Sequence, residues 1–128
     1  SGAFDLVACN HVIEHIFETE HLVSELRRIL KPGGICVLST PNLSCWPNRI
    51  ALLLGIQPFS VEVGTRHMHY GWPVFRERMR AWQPPGHIRC FTRAALEDMA
   101  REAGFAVAGV WRQERKWLYR NIALILTI

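Results

Sequence analysis

The sequence contains few cysteines, and no two of them form a metal-binding pair. The four cysteines stand at positions 9, 36, 45 and 90 of 128 residues, which excludes a Cys-x-x-Cys zinc knuckle. Cys9 and Cys36 fall inside apolar runs, where cysteine behaves as a small buried hydrophobe. We therefore expect free thiols and a reducing compartment, the cytoplasm.

Long apolar runs and a strong excess of one charge are also missing. The apolar runs 50–55 and 122–126 are far too short to cross a bilayer, so we expect no membrane span. The net charge is only +4, and the arginines are dispersed apart from Arg76, Arg78 and Arg80. A nucleic-acid surface ordinarily carries a denser basic stripe, so we expect no nucleic-acid partner. An acidic or phosphate-bearing small substrate suits this charge equally well.

The first 42 residues follow the order strand, helix, strand. Residues 4–10 form a short apolar run that predicts a strand buried on both faces. Residues 19–31 carry apolar side chains along one helical stripe, ended by Pro-Gly-Gly at 32–34, and a second apolar run follows at 35–40. This order predicts a parallel crossover in an α/β fold. Ligands bind beyond the carboxyl ends of such strands, which singles out residues 9–14 and 40–43.

The middle of the chain, residues 44–89, lacks the hydrophobic periodicity of a helix or a strand, apart from a short apolar helix predicted at 48–54. It is rich in proline and in aromatic side chains, among them Trp46, Tyr70, Trp72 and Trp82. A long irregular segment in a compact domain usually has a function of its own. We interpret it as a lid or acceptor-binding region, with an oligomer contact as the alternative.

Regular structure resumes after this segment. Thr92 is a plausible N-cap for a helix that Gly104 ends. Alternation of Phe105, Val107, Gly109 and Trp111 predicts a strand, and the apolar run 121–128 predicts another. Residues 112–120 would then connect the two as a hairpin.

Three histidine features allow further interpretations. His11-Val12-Ile13-Glu14-His15 matches the H-x-x-E-H pattern of zinc hydrolases, in which two helical histidines flank a catalytic glutamate. A long supporting helix and a third ligand are not evident in the sequence. His67 and His69 are either a metal pair or loop histidines without metal, and His87 is either a general base or a surface histidine.

Taken together, four strings resemble class I S-adenosylmethionine-dependent methyltransferases, in the subgroup that contains quinone-biosynthesis O-methyltransferases. These are Phe-Asp-Leu-Val at 4–7, Val-Ile-Glu-His-Ile at 12–16, Leu-Lys-Pro-Gly-Gly at 30–34 and Ser-Thr-Pro-Asn at 39–42. The segment from His87 to Phe105 is similar to the same subgroup. The resemblance implies the C-terminal half of a Rossmann-like sheet, with parallel strands and a terminal antiparallel hairpin. The glycine-rich cofactor loop of that family has no counterpart in these 128 residues, which form a single partial domain.

The resemblance also implies site residues and a reaction. It makes Cys9, Asn10 and His11 the turn beside the cofactor S-adenosylmethionine, and it makes His15 and His87 candidate bases. Asn42, Trp46 and Tyr70 would line the pocket of a small-molecule acceptor, and no metal ligands are assigned. The implied reaction is methyl transfer to oxygen or nitrogen.

Three alternatives to an active methyltransferase remain open. A chain without the glycine-rich loop would be inactive alone, or a non-catalytic remnant or interaction module. The zinc hydrolase is the third alternative. Strand edges left unpaired by an absent half are an association hazard, so we also expect a homodimer.

Overall fold

The computed structural model describes residues 2–74, 76–112 and 121–128. Four strands form one sheet in the order β1-β2-β4-β3, where β1 is Phe4–Asn10, β2 is Leu30–Pro41, β3 is Ala106–Arg112 and β4 is Asn121–Thr127. The helices are α1 (Thr19–Ile29), α2 (Trp46–Leu53), α3 (Arg76–Arg80) and α4 (Arg93–Glu102), and one turn of 3₁₀ helix covers Ile13–His15. Within these described ranges, no helix combines the length and the hydropathy needed to cross a bilayer.

The pairing of the strands confirms the α/β fold with parallel and antiparallel strands. β1 runs parallel to β2, with Val7 opposite Cys36 and Cys9 opposite Leu38. β4 lies between β2 and β3 and is antiparallel to both. The predicted hairpin connection falls mostly on residues 113–120, which lie outside the described residues.

Two helix boundaries differ from the sequence prediction for local reasons. α1 ends at Ile29 because Leu30 already pairs with Phe4 at the start of β2. The register then jumps to Leu6 opposite Ile35, so the Pro-Gly-Gly stretch forms an irregularity within β2 and does not end the helix. α2 begins at Trp46, before the predicted start, with a proline in its first turn, a position where the missing N–H has no helical partner.

The helix after the irregular segment follows the sequence prediction closely. The hydroxyl of Thr92 accepts a hydrogen bond from the N–H of Ala95 at 3.2 Å, which confirms the predicted N-cap. Gly104, just beyond the end of α4, adopts a φ of +87°, in the left-handed region that stops helices.

The hydrophobic core lies on the face of the sheet covered by α1 and α4. Cys36 and Leu38 of β2 are fully buried there, together with Val23 of α1 and Leu96 of α4. This face fixes the positions of β1 and β2 relative to one another, and thereby fixes the edge where their carboxyl ends meet.

The other face of the sheet carries exposed apolar side chains, so the prediction that β1 is buried on both faces is wrong. Leu6 is 62% exposed and its cross-strand neighbour Ile35 is 40% exposed. The helices that cover the core, α1 and α4, lie on the opposite side. Successive side chains of a strand point to opposite faces of the sheet, so every second side chain of β1 lies outside the core.

A bulge also alters the predicted alternation in β3. Val107 packs against the core, but the register shifts between Val107 and Gly109, and Val110 is the next residue to face the core. Trp111 is therefore turned to the other face, where it is 59% exposed. An extra residue in one strand reverses the faces of those that follow it.

Candidate active site at the carboxyl edge of the sheet

The two segments singled out by the sequence meet at one edge of the sheet. β1 and β2 are parallel, so their carboxyl ends at Asn10 and Pro41 lie side by side. The hydroxyl of Ser39 donates to Oδ1 of Asn10 at 3.0 Å, and the main-chain N–H of His11 donates to the carbonyl of Ser39 at 3.0 Å. The turn after β1 is therefore fixed to the end of β2, where a ligand of an α/β sheet binds.

Glu14 joins this edge to the loop that carries His87. Its side chain is 1% exposed, and Oε2 accepts a hydrogen bond from Oγ1 of Thr40 at 2.9 Å. Its main-chain carbonyl accepts hydrogen bonds from the N–H groups of Ile88 and Arg89 at 2.9 and 3.1 Å. One buried residue thus holds three segments together that are far apart in the sequence.

His11 has a strained backbone at the same edge. Its φ is +52°, in the left-handed region that costs a non-glycine residue about 1 kcal/mol or more. Its Nδ1 lies 3.1 Å from Oε1 of Glu14, and its side chain is 45% exposed. Strain of this kind gathers at functional sites because the surrounding structure has to maintain it.

The geometry contradicts the zinc-hydrolase interpretation of the H-x-x-E-H string. Its two histidines would have to share one face of a long helix, but only Ile13–His15 form a single 3₁₀ turn and His11 lies outside it. Glu14, which would be the catalytic base, is buried and bonded to Thr40.

His15 and His87, the two predicted bases, lie beside one another. Their ring centroids are 5.0 Å apart and the rings are tilted by 54°. Nδ1 of His15 lies 3.0 Å from the carbonyl oxygen of Gly86, and Nδ1 of His87 lies 3.3 Å from Oε1 of Glu62. The sequence pointed to both histidines but did not show that they are neighbours, because His87 comes from a loop far along the chain.

One combination of ligand atoms at this site is compact enough to hold a metal ion. Glu14, His15 and His87 each place one such atom within 4.8 Å of the others.

In the described part of the chain, His67 and His69 have no third ligand, and their rings pack together with a centroid distance of 5.2 Å. Nδ1 of buried His69 has no hydrogen-bond partner among the described residues, and desolvation lowers the pKa of this imidazole.

Of the three residues predicted to lie beside a cofactor, only Cys9 is buried. Its side chain is 6% exposed and belongs to the core, where desolvation and the charge of Glu14 raise the pKa of the thiol. Asn10 and His11 are exposed at the edge of the sheet. Any contact of Cys9 with a ligand would have to come from its main chain.

The predicted acceptor residues fall into two groups. Asn42 and Trp46 share a cavity of about 220 Å³ at the end of β2, which Arg49 also lines, with its guanidinium 5.4 Å from the centroid of the Trp46 ring. Tyr70 lines a different cavity of about 340 Å³, together with Trp72 and Arg76. The structure therefore brings Asn42 and Trp46 together and leaves Tyr70 apart from them.

Glu62 is a site residue that the sequence pattern did not reveal. It is a single carboxylate between Val61 and Val63, in the segment without periodicity, and no motif or spacing marks it. Only its contact with the loop of His87 reveals its place in the site.

The parallel crossover, with polar side chains and paired histidines at its carboxyl edge, is an α/β fold of the Rossmann-like class, in which this edge is where ligands bind. The chain belongs to a methyltransferase domain family, whose model matches residues 1–110. The family resemblance drawn from the sequence is thereby confirmed.

Individual relatives and solved structures support the same family and fold. The chain is 43% identical over 128 residues to a ubiquinone biosynthesis O-methyltransferase of Psychrobacter cryohalolentis, a match that covers 95% of this chain and 43% of the relative. It is 27% identical to the protein of the same name from Psychrobacter arcticus, with the same coverage. The chain thus spans less than half the length of these two relatives.

Two solved structures share the fold at low identity. One is the 1,6-didemethyltoxoflavin-N1-methyltransferase of Burkholderia thailandensis, with bound 1,6-didemethyltoxoflavin and S-adenosylhomocysteine (TM-score 0.57, 16% identity, covering 98% of this chain and 44% of that one). The other is magnesium protoporphyrin IX methyltransferase from Synechocystis with bound S-adenosylhomocysteine (TM-score 0.57, 18% identity, covering 100% and 47%).

Proposed function

We propose that this protein transfers a methyl group from S-adenosylmethionine to an oxygen or nitrogen atom of a small-molecule acceptor. The observation that carries the proposal is the meeting of Asn10 and His11 with the end of β2, beside the histidine pair His15 and His87. Membership of the methyltransferase family supports it, as do the names of the relatives and the S-adenosylhomocysteine bound in the two solved structures.

The turn after β1 provides the side of the site that would contact the cofactor. S-adenosylmethionine supplies an already activated methyl group, so the protein contributes mainly position and electrostatics. The amide of Asn10 is held by Ser39, and the exposed side chain of His11 is held by Glu14. Both side chains can form hydrogen bonds with the polar groups of the cofactor.

The end of β2 and the irregular segment provide the acceptor side. The cavity of about 220 Å³ that Asn42 and Trp46 line has room for part of a small organic molecule. A histidine that takes the proton from an acceptor hydroxyl contributes about 10²- to 10⁴-fold to the rate. Residues 44–89 supply Trp46 and Arg49 to this cavity, which supports their proposed role as a lid or acceptor-binding region.

The experiment uses the full-length protein. Isothermal titration calorimetry with S-adenosylhomocysteine should show binding, and incubation with methyl-labelled S-adenosylmethionine should label some members of a panel of catechols, phenols and amines. We expect Asn10→Ala to weaken S-adenosylhomocysteine binding about tenfold, as loss of one good hydrogen bond does. Glu77→Gln, an exposed change on α3, serves as the matched control and should leave binding unchanged.

Two results would contradict the proposal. Absence of binding heat at millimolar S-adenosylhomocysteine would contradict the proposal that S-adenosylmethionine is the methyl donor. Binding without label transfer to any acceptor in the panel would favour a non-catalytic interaction module instead.

A further inference from the structure

Glu62 holds the loop of His87 through three contacts. Its Oε2 accepts a hydrogen bond from the N–H of Gly86 at 2.9 Å, and its Oε1 accepts one from the N–H of His87 at 2.9 Å. The same Oε1 lies 3.3 Å from Nδ1 of the His87 ring, and the carboxylate side chain is only 7% exposed. A carboxylate removed from water in this way needs compensating hydrogen bonds, and the two main-chain N–H groups of the loop provide them.

The contacts of the two histidines indicate which ring nitrogen carries the proton. Nδ1 of His15 lies 3.0 Å from the carbonyl oxygen of Gly86, which can only accept a hydrogen bond, so Nδ1 of His15 carries the proton. Nδ1 of His87 lies 3.3 Å from Oε1 of Glu62. An ionised carboxylate can only accept a hydrogen bond, so this contact favours a proton on Nδ1 of His87. A neutral imidazole has one ring proton, so Nε2 of each histidine is left with a free lone pair.

We propose that Glu62 is a positioning residue that fixes the Nδ1-protonated tautomer of His87 and thereby presents its Nε2 as the proton acceptor. This inference rests on the proposed methyl transfer. As the acceptor oxygen or nitrogen forms its bond to the methyl carbon, the carbon–sulfur bond breaks and its electron pair stays on sulfur. The acceptor proton passes to Nε2 of His87, so the positive charge lost by the sulfonium appears on the imidazolium, where the Glu62 carboxylate stabilises it.

The tautomer of each histidine can be measured without any substrate. Long-range ¹H–¹⁵N correlation spectra of the ¹⁵N-labelled full-length protein distinguish the two neutral tautomers by the shifts of Nδ1 and Nε2. The spectra are recorded about two pH units above the ordinary imidazole pKa, with EDTA present so that no cation occupies the nitrogens. We expect the protein to show mainly the Nδ1-protonated form for both His15 and His87.

Two substitutions of Glu62 then test its role. In Glu62→Ala no acceptor faces Nδ1 of His87, so we expect this histidine to change mainly to the Nε2-protonated tautomer that free histidine prefers. In Glu62→Gln the amide oxygen still accepts a hydrogen bond, so we expect a smaller change. His15 is the internal control, because its bond to Gly86 reports whether the loop has stayed in place. Glu77→Gln, another glutamate of the irregular segment but an exposed one, should leave both spectra unchanged.

Three results would overturn the inference. They are an Nε2-protonated His87 in the unaltered protein, an Nδ1-protonated His87 in both variants, and a loss of the His15 signature together with that of His87, which would make Glu62 a loop anchor only. These outcomes are distinct from failure of the proposed function, which is measured by S-adenosylhomocysteine binding and label transfer in the unaltered protein.

Discussion

Glu14 and Thr40 are joined by a buried hydrogen bond of 2.9 Å that connects the turn after β1 to the end of β2. Neither residue is exposed to more than 1%, so water cannot replace either partner. The bond crosses the edge at which the candidate site is built, and it therefore couples the stability of the fold to the geometry of the site.

Removal of this bond should destabilise the protein strongly. We expect Glu14→Ala to lower the free energy of unfolding by about 2–4 kcal/mol, because it removes a buried acceptor and leaves the Thr40 hydroxyl without its partner. Thr40→Val, which keeps the shape of the side chain, leaves Oε2 of Glu14 without its donor and should cost about 1–3 kcal/mol. Urea denaturation of both variants and of the double variant measures the coupling, and independent effects would show that the bond contributes nothing.

The left-handed backbone at His11 leads to a second prediction. Glycine and asparagine adopt a φ near +52° easily, whereas a β-branched side chain does not. We expect His11→Gly to alter the free energy of unfolding by less than about 1 kcal/mol, because relief of strain offsets the lost contact with Glu14. His11→Val should lower it by about 1–2 kcal/mol more than His11→Gly. Equal stabilities of the two variants in thermal denaturation would argue against the positive φ.

The buried thiol of Cys36 should make stability depend on alkaline pH. Desolvation raises the pKa of this thiol to about 11 in the folded protein, above the ordinary value of 9.0 for an exposed thiol. Between these values the unfolded chain loses the proton while the folded one keeps it. The free energy of unfolding therefore falls as the pH rises from 9 toward 11, by roughly 2 kcal/mol in total.

The matched control for this effect is Cys36→Ala. The variant is less stable at neutral pH because it leaves a cavity, but its stability should fall less steeply between pH 9 and pH 11 than that of the unaltered protein. Urea denaturation at several pH values gives the two slopes. Identical slopes would mean that Cys36 does not titrate differently in the two states.

The Thr92 cap gives a prediction that is independent of the site. We expect Thr92→Ala to lower the free energy of unfolding by about 1 kcal/mol, because the N–H of Ala95 loses its side-chain acceptor. Thr92→Ser keeps the hydroxyl and should be nearly neutral. A stability loss in Thr92→Ser as large as that in Thr92→Ala would point to the methyl group and not to the cap.

The parts of the fold that the sequence predicted well are those governed by short-range patterns. The cap at Thr92, the stop at Gly104 and the apolar stripe of α1 depend on neighbouring residues, and the structure confirms them. Burial depends on what covers each face, which a strand's own residues do not reveal, so the burial of Leu6 was predicted wrongly. The bulge that turns Trp111 outward likewise depends on pairing with another strand.

The candidate site shows the same limit. Asn10, His11 and Asn42 were predicted because they follow strands, and strand ends mark ligand sites in α/β folds. The placement of His15 beside His87 required knowledge of where a distant loop returns, and Glu62 lies in a segment with no periodicity to guide a prediction. When distant loops bring residues together, no regular spacing in the sequence predicts the contact.

The position of β4 in the sheet has a consequence for synthesis on the ribosome. β4 is the last of the four strands in the chain, yet it lies between β2 and β3. Translation proceeds from the amino end, so β2 emerges with one edge bare and stays so until residues 121–127 have left the exit tunnel. During that interval the bare edge of β2 can pair with another nascent chain on the same polysome.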